Sequence, residues 1–256
     1  MKLAGGVAAV VMLSGCASSG PRDAVDPGDH TGGFLMRSVT IDERTMPYVM
    51  YVPLAYSADD SAAPWPVIVF LHGSGECGTD GLRQLSQGLG QAIQRQPERW
   101  PFVVLLPQLP SRDMQWSAYD DLVMAMLESA RTELRLDDDR TYLTGLSRGG
   151  AGTWSIGAAH PEMWAALAPI CGYGEPASTA PMLTRMPIWC FHGDADDIVP
   201  AAQSVAMVEA IRAATRSRGE PDLTRLSIYP GVNHGSWDRA YAEDELPGWL
   251  LAQRRR

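Results

Sequence analysis

The chain has 256 residues, 45% of them hydrophobic and 20% charged, with a formal charge of -9 and a pI near 5.0. That is enough ordinary globular sequence for one well-buried α/β core. With no long basic run, a nucleic-acid partner has no electrostatic footprint, and the closing Arg254, Arg255 and Arg256 read as a solvated tail.

The first residues, MKLAGGVAAVVMLSGCASSG, set one lysine before an apolar run. That run is about a dozen residues long, too short to span a bilayer and suited to an export signal over residues 1–15. It ends in LSGC, which resembles the lipobox of bacterial lipoproteins. The resemblance implies that Cys16 is acylated and becomes the new N-terminus, a membrane anchor in the bacterial cell envelope. Ala17, not an aspartate, follows the cysteine, which by the same resemblance favours the outer membrane. A plain signal or an uncleaved anchor is the alternative. Residues 16–33 are small, polar and rich in Gly and Pro, a flexible tether in which His30 has no role. No later segment is apolar enough to span.

Export makes disulfides possible, but with Cys16 lipidated an odd set remains, Cys77, Cys171 and Cys190, so at least one thiol stays unpaired. Cys171 and Cys190 lie at successive expected strands and could pair; buried free thiols are the preferred reading.

The globular part, residues 34–256, opens with two expected strands, FLMRSVTI and PYVMYVPL, and a fully buried one, PVIVFLHG. A helix follows near residues 82–95, then FVVLLPQ as strand, 119–134 as helix, TYLTGLS as strand and 149–160 as helix. ALAPICG and PIWCFHG read as strands, 201–217 as helix, LSIYPGV as strand, and a last helix runs to about 253. Apolar Val/Ile/Leu runs alternating with helices predict a mostly parallel eight-stranded sheet covered on both faces. Ligands of such sheets bind beyond the carboxyl ends of the strands.

Ser147 stands at such an end, in TYLTGLSRGGAGTW, where a strand turns directly into a helix. Gly145 and Gly149 leave room for a tight turn, and the free N–H groups of the helix start favour the anion that forms when a hydroxyl attacks a carbonyl. Serine is a weak nucleophile at neutral pH and requires a histidine base with an acid to orient it. Of five histidines, His30 is in the tether and His160 ends a helix. His72 and His192 each precede a glycine after a strand, where turn geometry accounts for them. His234, in YPGVNHGSW after the last strand, is the expected base. FHGDADDIVP offers the acid: Asp196 is preferred, with Asp194 closing the turn and Asp197 capping the next helix. The oxyanion donors are expected from the backbone of Arg148 and, in LHGSGECGTD, of Ser74. Glu76 in that loop reads as a salt bridge or cap holding it, with substrate contact as the alternative. Trp116 and Trp237 are candidates for lining the cleft.

LHGSGECGTD, TGLSRGGAGTW, PIWCFHGDADDIVP and NHGSWDRAY together resemble the α/β-hydrolase superfamily. More narrowly they resemble its exported bacterial branch of phospholipase/carboxylesterase-like enzymes and predicted peptidases, near feruloyl esterases and polyhydroxybutyrate depolymerases. The resemblance covers about residues 34–253 and implies a Ser147, Asp196, His234 triad with an oxyanion hole at Ser74 and Arg148. Departures from the branch are Cys77 for arginine, Arg148 for methionine, Cys190 for a small residue and Gly235 for asparagine. None of these removes a catalytic group, and no metal or cofactor is implied.

Only GYGEPASTAPMLTR separates the sixth strand from the seventh, which leaves no lid domain. An open cleft suits short-chain or aromatic acyl esters, small or carried on a polysaccharide. A serine peptidase is the rival reading; its relatives add a peptide-binding module for which no residues are left. A catalytically idle envelope binding protein is the third, and it would be expected to have lost a triad member.

Overall fold

The computed structural model of the protein describes residues 32–59 and 61–255, so the export segment, Cys16 and nearly all of the tether lie outside the described residues. The described chain begins with a hairpin. β1 (Gly33–Ile41) pairs antiparallel with β2 (Arg44–Val52) across a two-residue turn in which Asp42 takes φ +52. The apolar run after Pro64 forms β3 (Trp65–Leu71), and beyond it lie α1 (Gly88–Arg95), β4 (Val103–Pro107), α2 (Asp120–Glu133), β5 (Leu136–Leu146) and α3 (Arg148–Ala159). β6 (Ala166–Ile170), α4 (Pro176–Thr179), β7 (Ile188–Gly193), α5 (Ala202–Ser217), β8 (Thr224–Tyr229), α6 (Trp237–Ala240) and α7 (Glu245–Leu251) complete the order.

The strands form one eight-stranded sheet in the order β1-β2-β4-β3-β5-β6-β7-β8. β2 is antiparallel to both of its neighbours, and β4 through β8 are parallel, as the unbroken apolar runs required. Side chains alternate across it. Val67, Val69 and Leu71 of β3 pack under α2, α3 and α5, whereas Ile68 and Phe70 pack with α1, α6 and α7 on the other face. Val67 through Leu71 are all 0% exposed, so β3 lies at the centre of both cores. From β3 the chain goes to β4 on one side and crosses to β5 on the other, the kind of reversal beyond whose strand carboxyl ends sheets of this type bind ligands.

Three elements differ from their sequence reading. β5 begins at Leu136, five residues earlier than expected, through Asp137, Asp138 and Asp139. Aspartates disfavour strands, but Arg140 pairs with Asp137 at 2.6 Å and Arg131 with Asp138 at 2.8 Å, so this charged stretch is compensated by its neighbours. α1 starts only at Gly88. Leu82 to Ser86 are bent into a short 3-10 turn, whose first N–H groups, of Leu82 and Arg83, donate to Asp80 at 2.8 and 3.0 Å. The last helix is two pieces, because Pro247 lacks an N–H and is tolerated only in the first turn of a helix. No described helix is long and apolar enough to cross a membrane.

Candidate active site

Ser147 sits between β5 and α3 at φ +54 and ψ -115, one of three non-glycine residues at positive φ among those described. The turn is tight because α3 leaves directly over β3. A Cβ on Gly149 would run into the Leu71 carbonyl, and one on Gly145 into the carbonyl of Gly149. The Ser147 N–H donates to the Ile170 carbonyl at 2.9 Å, which fixes the turn against β6. Glycine at 145 and 149 is thus a steric requirement, and Ser147 carries the backbone strain that results.

Two loops meet beside it. Asp194 donates its N–H to the Tyr229 carbonyl at 3.1 Å and Ala195 to the Val232 carbonyl at 3.0 Å, while the Asp194 carboxylate accepts the Gly231 N–H at 2.6 Å. These bonds zip the loop after β7 to the loop after β8, and they place Asp196 against His234. Asp196 Oδ2 lies 2.7 Å from His234 Nδ1, and His234 Nε2 lies 2.9 Å from Ser147 Oγ. A carboxylate only accepts, so Nδ1 carries the proton and Nε2 is the acceptor for the serine hydroxyl. Oδ1 of Asp196 accepts the N–H groups of Ile198 and Val199 at 2.9 and 2.8 Å. Burial alone would raise the Asp196 carboxyl; the hydrogen bonds from His234, Val199 and Ile198 outweigh it and hold the group below the ordinary aspartate value. Asp194 does not close its own turn through its side chain, which instead accepts the Gly231 N–H from the loop after β8. Asp197 does not cap the next helix: it is exposed, and α5 starts after Ala201 with no side-chain cap.

Ser74 opens a 3-10 turn (Ser74–Glu76) directly after β3, and Arg148 is the first residue of α3, where backbone N–H groups have no partner within the helix. The Arg148 side chain bridges three segments: Nε donates to Ser74 Oγ at 2.8 Å and a terminal nitrogen donates to the Met114 carbonyl. Gln108, not singled out in the sequence, holds the same loop from below. Its amide nitrogen donates to the Glu76 carbonyl at 3.0 Å and to Asp80 at 3.1 Å, and its oxygen accepts the Gly81 N–H at 2.6 Å. Its signal in the sequence was its place at the end of FVVLLPQ, a polar residue closing an apolar strand.

The cleft candidates fare differently. Trp116 is 1% exposed and packs in the core, its indole N–H donating to the His72 carbonyl at 3.1 Å, and from the helical turn Trp116–Ala118 it also lines the cavity beside α3. Glu76 forms no ion pair among the described residues. It is buried with one carboxylate oxygen lacking a partner, and burial raises its carboxyl against the opposing N–H groups of Gly73 and Glu76. Trp237 is half-buried, edge-on to His234 at 5.4 Å between ring centroids, with its indole N–H on Gln87 at 3.1 Å. Cys77, Cys171 and Cys190 are free and buried. The Sγ of Cys171 lies within 4.8 Å of a carboxylate oxygen of Asp196 and a ring nitrogen of His234, and burial pushes its thiol up to about 12.

The two remaining strand-end histidines are fully buried. His72 Nδ1 donates to the Gly73 carbonyl at 2.6 Å and its Nε2 accepts the Leu109 N–H at 2.9 Å; burial lowers it to about 4. His192, set aside in the sequence as a turn residue, lies 3.1 Å from Asp196 Oδ2. One helical turn past Ser147, at Ala151, a cavity of about 680 Å³ opens between α3 and the segments 115–117, 173–179 and 198–203. Its walls mix aromatic and aliphatic groups such as Tyr173 and Ile198 with Gln115, Ser155 and Gln203.

The dienelactone hydrolase family model matches residues 106–245. The "Putative esterase NocK" of Nocardia uniformis subsp. tsuyamanensis is 26% identical over 230 residues, 78% of this chain and 64% of that protein. A crystal structure of a thermostable esterase superimposes with a TM-score of 0.71 at 30% identity, over 87% of this chain and 63% of that one. The chain therefore spans somewhat under two thirds of both relatives. A mutant feruloyl esterase module from Clostridium thermocellum, complexed with sinapinate, superimposes with a TM-score of 0.65 at 18% identity, over 85% of this chain and 87% of that one, a likeness of fold. The sheet order, the strand-to-helix turn at Ser147 and the matched residues make the chain a member of the dienelactone hydrolase family, with the α/β-hydrolase fold.

Proposed function

We propose that the protein is a carboxylic ester hydrolase that works through an acyl-enzyme on Ser147. The observation that carries this is the continuous chain from Ser147 Oγ through His234 to Asp196, at 2.9 and 2.7 Å, on a strained strand-to-helix turn. In the first half-reaction Ser147 Oγ attacks the ester carbonyl carbon while its proton passes to His234 Nε2. The carbonyl oxygen becomes an oxyanion facing the backbone N–H groups of Ser74 and Arg148. The intermediate collapses, the C–O bond to the alcohol breaks, and His234 returns the proton to the leaving oxygen. Water then repeats the sequence on the acyl-enzyme and releases the acid.

For the substrate we propose short-chain or aromatic acyl esters, small or carried on a polysaccharide. The support is the open cavity beside α3, whose walls mix aromatic, hydroxyl and amide groups with the carboxylate of Glu175 and so suit a partly polar group without negative charge. We further propose attachment to the cell envelope through lipid on Cys16, supported by LSGC after an apolar run. A fluorophosphonate probe labels wild type and fails to label Ser147→Ala; labelling that survives removes Ser147 from the role. Across p-nitrophenyl esters from acetate to palmitate, methyl ferulate and unblocked peptide amides, the short and aromatic esters are turned over best, whereas efficient peptide cleavage with negligible esterase activity overturns the ester class. Palmitate labelling of the full chain, lost in Cys16→Ser, tests the anchor.

A further inference from the structure

His192 is 0% exposed at the end of β7, and both of its ring nitrogens are engaged. Nε2 faces two oxygens that carry no hydrogen, the Val199 carbonyl at 2.8 Å and Asp196 Oδ2 at 3.1 Å. Nε2 therefore holds the proton and shares it between them. Nδ1 is left as an acceptor, and the partner within reach is Ser204 Oγ at 2.7 Å, which donates its hydroxyl proton. Ser204 is itself 0% exposed and lies in the first turn of α5.

We propose that His192 is a positioning residue for the reaction, holding from the buried side the same Asp196 oxygen that orients His234. With Oδ1 accepting two backbone N–H groups and Oδ2 lying between two imidazoles, the carboxylate has donors on every side and one available rotation. Ser204, His192, Asp196, His234 and Ser147 then form one unbroken line of hydrogen bonds from α5 to the attacking oxygen. The device has two consequences. It keeps His234 aimed at Ser147, which is a matter of rate. It also withdraws part of the negative charge from Oδ2, so that the imidazolium formed during attack is held less tightly than a bare carboxylate would hold it. The titratable groups against Asp196 are His234 from the loop after β8, His192 from β7 and the Cys171 thiol from the end of β6, which stays neutral through the assayed range. This inference rests on the triad reading above.

The test compares His192→Phe, which keeps the ring and removes both nitrogens, with His192→Gln, which restores an N–H donor, and with Ser204→Ala, all assayed on a short p-nitrophenyl ester beside Ser147→Ala. His192→Phe lowers kcat by about 10- to 100-fold with KM changed by less than about 2-fold. The acid limb of its kcat/KM profile moves to higher pH by about half a unit or more, because an Asp196 with one donor fewer favours the protonated His234. His192→Gln recovers most of the rate and returns the limb, and Ser204→Ala shows the same two changes at smaller size. A folded His192→Phe with wild-type kcat, or one whose rate falls while the limb stays put and Gln fails to rescue, overturns the proposal. If His192→Phe does not fold, Ser204→Ala decides: a limb at the wild-type position overturns it, a raised limb supports it. Activity surviving in Ser147→Ala would instead remove the triad reading. A dead Ser147→Ala beside unaffected His192 and Ser204 variants would remove this inference alone.

Discussion

The chain writes nearly the same phrase twice at the carboxyl edge of its sheet, Leu71-His72-Gly73 where β3 ends and Phe191-His192-Gly193 as the last residues of β7. Both histidines are fully buried and both use both nitrogens, yet their partners differ in kind. His72 bonds to backbone only, to Gly73 and Leu109, and so fastens the Ser74 loop to the segment after β4. His192 bonds to a backbone carbonyl, a serine and the Asp196 carboxylate. What separates them is the loop that follows. After His72 the chain coils into a 3-10 turn that presents N–H groups, whereas after His192 a turn brings a carboxylate back four residues later. Neighbouring backbone geometry, not the dipeptide, decides which histidine reaches Asp196.

The sharpest separation of the two ends comes from Asp196→Asn. It should lower kcat by a factor on the order of 10³ to 10⁴ by offering His234 the wrong partner, while thermal unfolding in the His72 region, followed by hydrogen exchange at Leu109, stays close to wild type. A smaller loss of rate would mean that another group orients His234.

His72 is separated by pH. Its folded value of about 4 lies below the ordinary 6.5, so between these limits the unfolded chain binds more protons and stability rises with pH. The group contributes on the order of 3 kcal/mol that is fully present above about pH 6.5 and lost as pH falls toward 4. In urea melts the stability difference between wild type and His72→Gln should therefore shrink across that window as pH is lowered. A constant difference would show that His72 is not buried neutral.

Arg148→Met tests the fastening of the His72 end from the other side. Loss of the Ser74 and Met114 bonds should loosen the loop and lower kcat by about 10-fold, less than the loss of an oxyanion donor itself. KM for a small ester should change little. An unchanged kcat would mean that His72 and Gln108 suffice to hold the loop. The smallest effect is expected of Trp237→Phe, which keeps the ring against His234 and removes the bond to Gln87; a stability loss of about 1 kcal/mol or less follows, with activity near wild type.

Much of this was legible in the sequence. β3, β6 and β7 announce themselves as short buried apolar runs, and Ser147, Asp196 and His234 stand at strand ends in the order the fold requires. What was not legible depends on distant partners. The start of β5 reads as a charged loop until Arg131 and Arg140 are seen against its aspartates. Trp116 reads as a loop residue until its indole is found on the His72 carbonyl, 44 positions away. The Asp196 contact of His192 is close in sequence, but a turn residue bonded only to its own loop would be written identically.

The left-handed backbone of Ser147 also bears on how such a chain drifts under mutation. Replacing Ser147 by glycine would relieve the conformational strain at the turn, so the substitution that eases this backbone also deletes the Ser147 hydroxyl. A screen for stability alone would therefore favour losing this hydroxyl, and on the proposed function such a variant is better folded and inactive.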